Sequence, residues 1–263
     1  MIEAMLLMLV GGITLSQAVS NPRQVTLRWL RLGGILAVTL LAVTVVVGLT
    51  AGSLRGAVLI LVAAAVIACV VQLITVQKAM HASQRVAALL AFPLAAVAGL
   101  GVLATVIDAG AGEIQSDPTA LRHAGMICTV MIASPLLGGF LMTMLVGHAY
   151  LTAGHEMTQR PFARLVVMLA VLLVLRLVVA SVFGLVPYVQ AEIYSSRAWN
   201  MMLITSRFVF GLILPGVFTW MVYDCVRRQA NQSATGILYV ALLMVVLGEG
   251  TALTLLDATG FVF

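Results

Sequence analysis

A chain of 263 residues that is 62% hydrophobic and 9% charged cannot be a soluble globule, because soluble domains carry about 25% charged residues. Its net charge of +5 does not point to nucleic acid, since the basic residues sit in short loops rather than in a patch with interleaved aromatics. The three cysteines, Cys69, Cys128 and Cys225, lie within or at the ends of apolar runs without CxxC spacing, which argues against a disulfide framework or a zinc site.

Runs of roughly 17–25 apolar residues are long enough to cross a bilayer as helices. Such runs fall near residues 2–19, 29–51, 56–77, 86–107, 124–150, 164–187, 199–224 and 236–257. The first opens with Met1-Ile2-Glu3-Ala4 and has no basic stretch before it, so it is expected to be kept rather than cleaved as a signal peptide. Only Gly52-Ser53-Leu54-Arg55 separates the second run from the third. The expectation is an all-α, multi-pass membrane bundle of about eight transmembrane helices, forming one domain over residues 1–263 in the inner (cytoplasmic) membrane.

Loop charge sets the threading, because cytoplasmic loops are enriched in Lys and Arg. The loops after runs 1, 3, 5 and 7, with their flanks, carry Arg23, Arg28, Arg31, Lys78, Arg85, Arg160, Arg164, Arg227 and Arg228. The opposite side carries Arg55, Arg122 and Arg197. Both termini are therefore expected outside the cytoplasm. Pro93, Pro135 and Pro215 interrupt runs and predict kinks. Glycines cluster at Gly33-Gly34, at Gly99 and Gly101, at Gly138-Gly139, and at Gly211 with Gly216, as close helix packing in lipid favours. No internal repeat is evident, and a four-plus-four division would not give the inverted symmetry of many transporters.

Three charges remain inside the runs: Arg176, Arg207, and Glu249 between Gly248 and Gly250. Each costs about 2.5–3.5 kcal/mol at mid-membrane on insertion scales, so such residues are usually paired or functional. Arg207 lies eight residues after Trp199, and Glu249 eight before Asp257. At 1.5 Å per residue both sit about 12 Å below the outer surface. The expectation is a direct Arg207–Glu249 pair, with Arg176 near the midplane as the free cation. Two arginines and one glutamate leave one positive charge unmatched, unless Glu249 bridges both. An arginine fork is a strong donor to ligand oxygens such as a quinone carbonyl.

The histidines are His81, His123, His148 and His155. His123 and His148 stand at the two ends of one helix, so they cannot share a metal or a haem, and haem is not expected. His148, in Gly147-His148-Ala149-Tyr150, is a possible interfacial site together with His123. Trp29, Tyr188, Tyr194, Trp199, Trp220 and Tyr223 are expected at the interface belts. The acidic stretch from Asp108 to Arg122 reads as a solvated outer connector. No nucleotide fingerprint, P-loop, Ser-His-Asp set or metal motif occurs, which disfavours hydrolysis or group transfer by this chain alone.

Eight helices with short loops and buried charges in the outer half, ending in a hairpin with Gln232-Ser233-Ala234-Thr235-Gly236 and Leu247-Gly248-Glu249, resemble the polysulfide/DMSO reductase-type membrane anchor subunits. That resemblance implies an anchor subunit of a respiratory oxidoreductase complex that binds quinone near the outer face, carries no haem and contacts other subunits of the complex. Arg176, Arg207 and Glu249 are placed at that quinone or ligand site on physical grounds. The alternatives are a small-solute or proton transporter, and a structural subunit of a membrane assembly.

Overall fold

The computed structural model describes residues 1–22, 24–110, 119–153, 158–185, 197–259 and 263. Among them every regular element is helical, and eight helical stretches are long and apolar enough to cross a membrane. They are α1 (Ile2–Val19), α2 (Leu27–Ala51), α3 (Gly56–Gln77), α4 (His81–Gly110), α5 (Thr119–Ala153) and α6 (Arg160–Val179), which runs on into a π-helical turn, Ala180–Leu185. The seventh is made of α7 (Arg197–Phe208), a second π turn (Val209–Ile213) and α8 (Leu214–Arg227); the eighth is α9 (Asn231–Thr259). The middle of the acidic connector (111–118), with His155, Tyr188 and Tyr194, lies outside the described residues.

Local chemistry explains several boundaries. Thr26 caps α2 by accepting from the Trp29 amide at 3.4 Å, and α2 stops at Gly52, whose φ of 70° continues no helix. α4 and α9 each begin before their apolar run, at His81 and Asn231, because helical hydrogen bonding continues through interfacial polar residues. Pro93 and Pro135 are held inside α4 and α5. Pro215 sits in the first turn of α8, directly after the π turn. A proline there denies residue 211 its usual acceptor role, and the chain adapts by pairing the Leu214 amide with the Val209 carbonyl, five residues back.

α5 is the pillar of the bundle, with 78% of its apolar window buried, whereas α3 buries 22% and turns the rest outward. Exposed Val, Ile and Leu side chains cover the outside, among them Val46, Ile60, Ile67, Val174 and Leu243. That is the inverse of a soluble surface, and in lipid it is the favoured one. Trp29 departs from its expected place in the interface belt. It is 2% exposed, and its Nε1 donates to the Met142 carbonyl at 3.1 Å, which pins α2 to α5. Trp199, Trp220 and Tyr223 do face outward.

The two halves of the bundle repeat one another, contrary to the sequence-based expectation. The α3–α4 turn is built on four bonds: the amides of Lys78, Ala79, Met80 and Gln84 donate to the carbonyls of Ile74, Val76, Thr75 and Met80 at 3.1, 3.1, 2.9 and 3.0 Å. The α8–α9 turn has the same set, with Arg228, Gln229, Ala230 and Ala234 donating to Asp224, Val226, Cys225 and Ala230 at 3.1, 3.1, 2.9 and 3.0 Å. Ala79 (φ 54°) and Gln229 (φ 59°), the only non-glycine residues with positive φ among the described residues, hold the same place in each. Burial follows the same register. Residues 84, 88, 91, 95, 98, 99, 102 and 103 of α4 are buried, and so are 234, 238, 241, 245, 248, 249, 252 and 253 of α9. In α2 the buried positions 30, 33, 34, 37, 41, 44 and 48 match 162, 165, 166, 169, 173, 176 and 180 of the sixth span. In α1 positions 3, 4, 7, 8, 12, 16, 17 and 20 match 129, 130, 133, 134, 138, 142, 143 and 146 of α5.

α1 and α5 form the seam between the halves, and on it residues meet their own counterparts. Gly12 packs backbone to backbone on Gly138, and Ser134 Oγ donates to the carbonyl of its counterpart Met8 at 2.7 Å. Contact between equivalent residues is the mark of a two-fold relation. Because α1 and α5 are both odd-numbered spans, the repeat is parallel, with its axis along the bundle.

Candidate functional site

The polar centre of the second half is assembled from α6, α7, α9 and α5. Arg176 and Arg207 are wholly buried, and Glu249 is 3% exposed. Arg176 approaches Glu249 as a fork, with Nε 3.1 Å from Oε1 and Nη2 2.9 Å from Oε2. Arg207 Nη2 reaches Oε1 at 2.9 Å. One carboxylate thus bridges two guanidinium groups. The expected Arg207–Glu249 pair is present, and the bridging alternative is the one realised.

The assignment of the free cation is overturned. Beyond its fork, Arg176 donates Nη1 to Thr129 Oγ1 at 3.2 Å and Nη2 to the Phe263 carbonyl oxygen at 2.7 Å. All three of its nitrogens are engaged. Arg207 is the under-used arginine, since its Nε and Nη1 have no hydrogen-bond partner among the described residues. Nor is Arg176 deeper than the others, because its fork places it level with Glu249. Glu249 lies ten residues before the end of α9 and Arg207 ten after the start of α7, about 15 Å from that end of the bundle. Thr129 and the Phe263 carbonyl escaped sequence reading. A threonine in an apolar run gives only a weak signal, and a main-chain oxygen has no side-chain signature.

Each arginine is followed within four residues by a π turn, Ala180–Leu185 after Arg176 and Val209–Ile213 after Arg207. π turns inside α-helices are concentrated at functional sites. The second one carries Gly211, which faces Gly248 across the helix pair. A Cβ on Gly211 would come within 2.9 Å of Arg207 Nη1, and one on Gly248 within 3.2 Å. These two glycines keep the unpartnered edge of Arg207 clear.

Beside the cluster lies a void lined by Met8, Met126 and Phe263 on its apolar side and by Thr129, Arg176 and Glu249 on its polar side. It offers about 10 Å³ to the centre of a water-sized sphere, roughly the room for one water molecule.

The repeat supplies an internal control for the cluster. In register, Arg176 corresponds to Thr44 and Glu249 to Gly99; Arg207, separated from its turn by a π turn that adds one residue, corresponds to the buried Val58. The first half keeps the same turn and the same buried positions with none of the three charges. The shared fold does not require the ion cluster.

His123 and His148 are both exposed on α5, 25 residues apart, a separation of about 37 Å along a helix. Among the described residues no group of three His, Cys, Asp or Glu side chains could hold a metal ion. Tyr150, next to His148, stacks on Phe162 with centroids 5.4 Å apart and donates to the Thr158 carbonyl. Its work is to join α5 to the start of α6. Comparison with known protein families, with curated proteins and with solved structures finds no match to this chain.

Proposed function

We propose that this chain is a multi-pass membrane subunit that binds a quinone-type carrier at the Arg176–Glu249–Arg207 cluster and anchors partner subunits of a respiratory oxidoreductase complex. The observation that carries this reading is the unpartnered edge of Arg207: among the described residues, two buried guanidinium donors have no acceptor. A buried donor left unsatisfied is costly, and an oxygen ligand relieves it. The resemblance to the polysulfide/DMSO reductase-type anchors supplies the ligand class and the anchoring role. In this reading the face carrying Lys78, Arg85, Arg227 and Arg228 is cytoplasmic, and the cluster lies in the outer half of the inner membrane.

The residues fit the oxygen end of such a carrier. A bound quinone supplies reversible two-electron, two-proton chemistry. Arg207 offers Nε and Nη1 to a carbonyl oxygen, Arg176 holds Glu249 in place, and Glu249 is the group beside the void able to exchange a proton with water. The void takes one water, so ring entry requires the Phe263 side of the site to move aside. The chain is not catalytic alone in this reading.

The test is purification of the full chain from native membranes, followed by extraction of bound quinone and identification of co-purifying redox subunits. Bound quinone that is lost in Arg207→Gln supports the reading; quinone retained unchanged in that variant sinks it. The water-sized void beside a membrane carboxylate favours one second reading, a proton or small-solute transporter. An autonomous protein without quinone that dissipates a pH gradient in liposomes would establish that alternative.

A further inference from the structure

The end of the bundle opposite the charged cluster holds a second polar centre, built from α1, α3 and α4 of the first half. Gln17 of α1 donates Nε2 to the Leu30 carbonyl at 2.8 Å, and its Oε1 accepts from Gln72 of α3. Gln72 and Gln84 are each 1% exposed. Among the described residues, Gln72 Oε1, both amide atoms of Gln84 and Nε of Arg85 have no partner. Arg85 Nη2 reaches the carbonyl of Ser20, one turn beyond Gln17 on α1, at 3.3 Å. Gly33 leaves the space that the Gln17 amide occupies, since a Cβ there would strike Gln17 Nε2 and come within 2.7 Å of Met142 Cε.

The second half fills the same positions differently. Gln17, Gln72, Gln84, Arg85 and Gly33 correspond to Thr143, Val222, Ala234, Thr235 and Leu165. Thr143 and Thr235 return their hydroxyls to carbonyls of their own helices at 2.6 and 2.7 Å. At these five positions the second half carries apolar or self-satisfied side chains, and its own amide oxygens without a partner among the described residues, on Gln159 and Asn231, stand at the starts of α6 and α9. The first half carries three buried amides and an arginine that the shared fold does not need. Four unpartnered polar atoms, both donors and acceptors, on two adjacent residues and a third linked to Gln17, match the hydrogen-bonding of water, which gives and takes at one site.

We propose that the basic end of the first half contains a water-filled pocket with Arg85 and Ser20 at its rim and the Gln17–Gln72 amide pair at its floor. Gln72 lies six residues before Lys78, so the floor is about 9 Å in from the turn. Past the floor, α1 runs into the Gly12–Gly138 crossing, where touching backbones leave no room for solvent. The pocket is a half-channel, stopped by that crossing before it reaches the void at Met8. This inference stands on the repeat and the amides and does not depend on quinone binding.

The test compares matched positions in the full chain, reconstituted in liposomes with Cys69, Cys128 and Cys225 replaced by Ala. Gln72→Cys and Gln84→Cys are set against their counterparts Val222→Cys and Ala234→Cys. Only the thiolate reacts, and a thiol in apolar surroundings stays protonated, so a small methanethiosulfonate reagent should label the first pair at least about tenfold faster than the second. Equal rates within the pairs, or no labelling at position 84, would overturn the proposal. Hydroxyl-radical footprinting of the unmodified protein gives a second readout. Met142, fully buried but beside Gly33, should be oxidised by radicals formed in pocket water, and less so in Gln72→Val/Gln84→Ala. Because the second half folds with Val222 and Ala234 in these places, that double variant should remain folded. Protection of Met142 in the unmodified protein counts against the pocket.

Discussion

Arg176 and Glu249, 73 residues apart in the chain, meet as a two-pronged ion pair, and the arginine spends its remaining nitrogen on Thr129. The pair joins α6 to α9, and the Thr129 bond adds α5. Breaking a buried pair from one side leaves an uncompensated charge and typically costs about 3–5 kcal/mol. Arg176→Gln and Glu249→Gln should therefore each lower the yield and thermal midpoint of the detergent-solubilised protein. Glu249→Gln should be the worse, because it strands two arginines. Fluorescence-detected size exclusion with a heating step measures both, and wild-type stability in Glu249→Gln would contradict the bridging role.

Arg207→Gln should behave differently. Glu249 keeps both contacts to Arg176, so the loss of stability should be smaller than in Glu249→Gln, which removes the partner of both arginines. Binding of an added quinone analogue should weaken at least about tenfold, equivalent to about 1.4 kcal/mol. Titration of the purified protein by isothermal calorimetry checks this, and an unchanged affinity would remove Arg207 from the site.

At the seam, Gly138→Ala should be strongly destabilising. Its Cβ would be driven into the Gly12 backbone, which cannot swing aside as a side chain does. Overpacking costs about 1–3 kcal/mol in ordinary cores, and a backbone obstacle puts this case at the upper end. Gly236→Ala is the control: nothing lies within 4 Å of its added Cβ, and alanine is the better helix former by about 1 kcal/mol. Thermal midpoints should move in opposite directions.

The two turns offer a stabilising change. Ala79 and Gln229 adopt positive φ, which costs a side-chain-bearing residue about 1–2 kcal/mol and glycine nothing comparable. Ala79→Gly and Gln229→Gly should each raise the thermal midpoint, after allowing for the greater freedom of glycine in the unfolded chain. A fall in both would show that the turns are not held in this conformation.

The threading is tested by cysteine substitution. Ser83→Cys and Asn231→Cys, on the basic side, should resist an impermeant thiol reagent added outside intact cells, while Arg55→Cys should react. The reverse pattern would invert the assignment of faces.

What the sequence made legible, and what it did not, follows from how lipid reads side chains. The eight runs stood out because apolar length is what the bilayer demands, and the structure has eight stretches that meet it. Helix ends were read short, as at His81, because polar residues continue a helix once it leaves the apolar zone. Arg176, Arg207 and Glu249 were visible as charges in apolar runs. Their pairing was half visible, since equal depth suggested Arg207 with Glu249 but gave no hint of the fork from Arg176. Trp29 misled because a tryptophan at the start of a run is the same signal whether it faces the interface or bonds a buried carbonyl. The repeat was hidden for a related reason. Val, Leu, Ile and Ala replace one another freely where packing and lipid both accept them, so the likeness survives in burial register and turn geometry rather than in letters.

The Gly12–Gly138 crossing also bears on biogenesis. α1 buries most of its window, packing on α4 and α5, so the first four spans leave the ribosome with the α5-facing side of α1 uncovered. They stay in that state until α5 arrives. Until then the notch at Gly12 is open to the insertion machinery, to lipid, or to the α1 of another nascent chain, which carries the same notch. A pause in translation just after α4 would lengthen that interval, and the expected by-product is a mispaired dimer of half-made chains joined through α1.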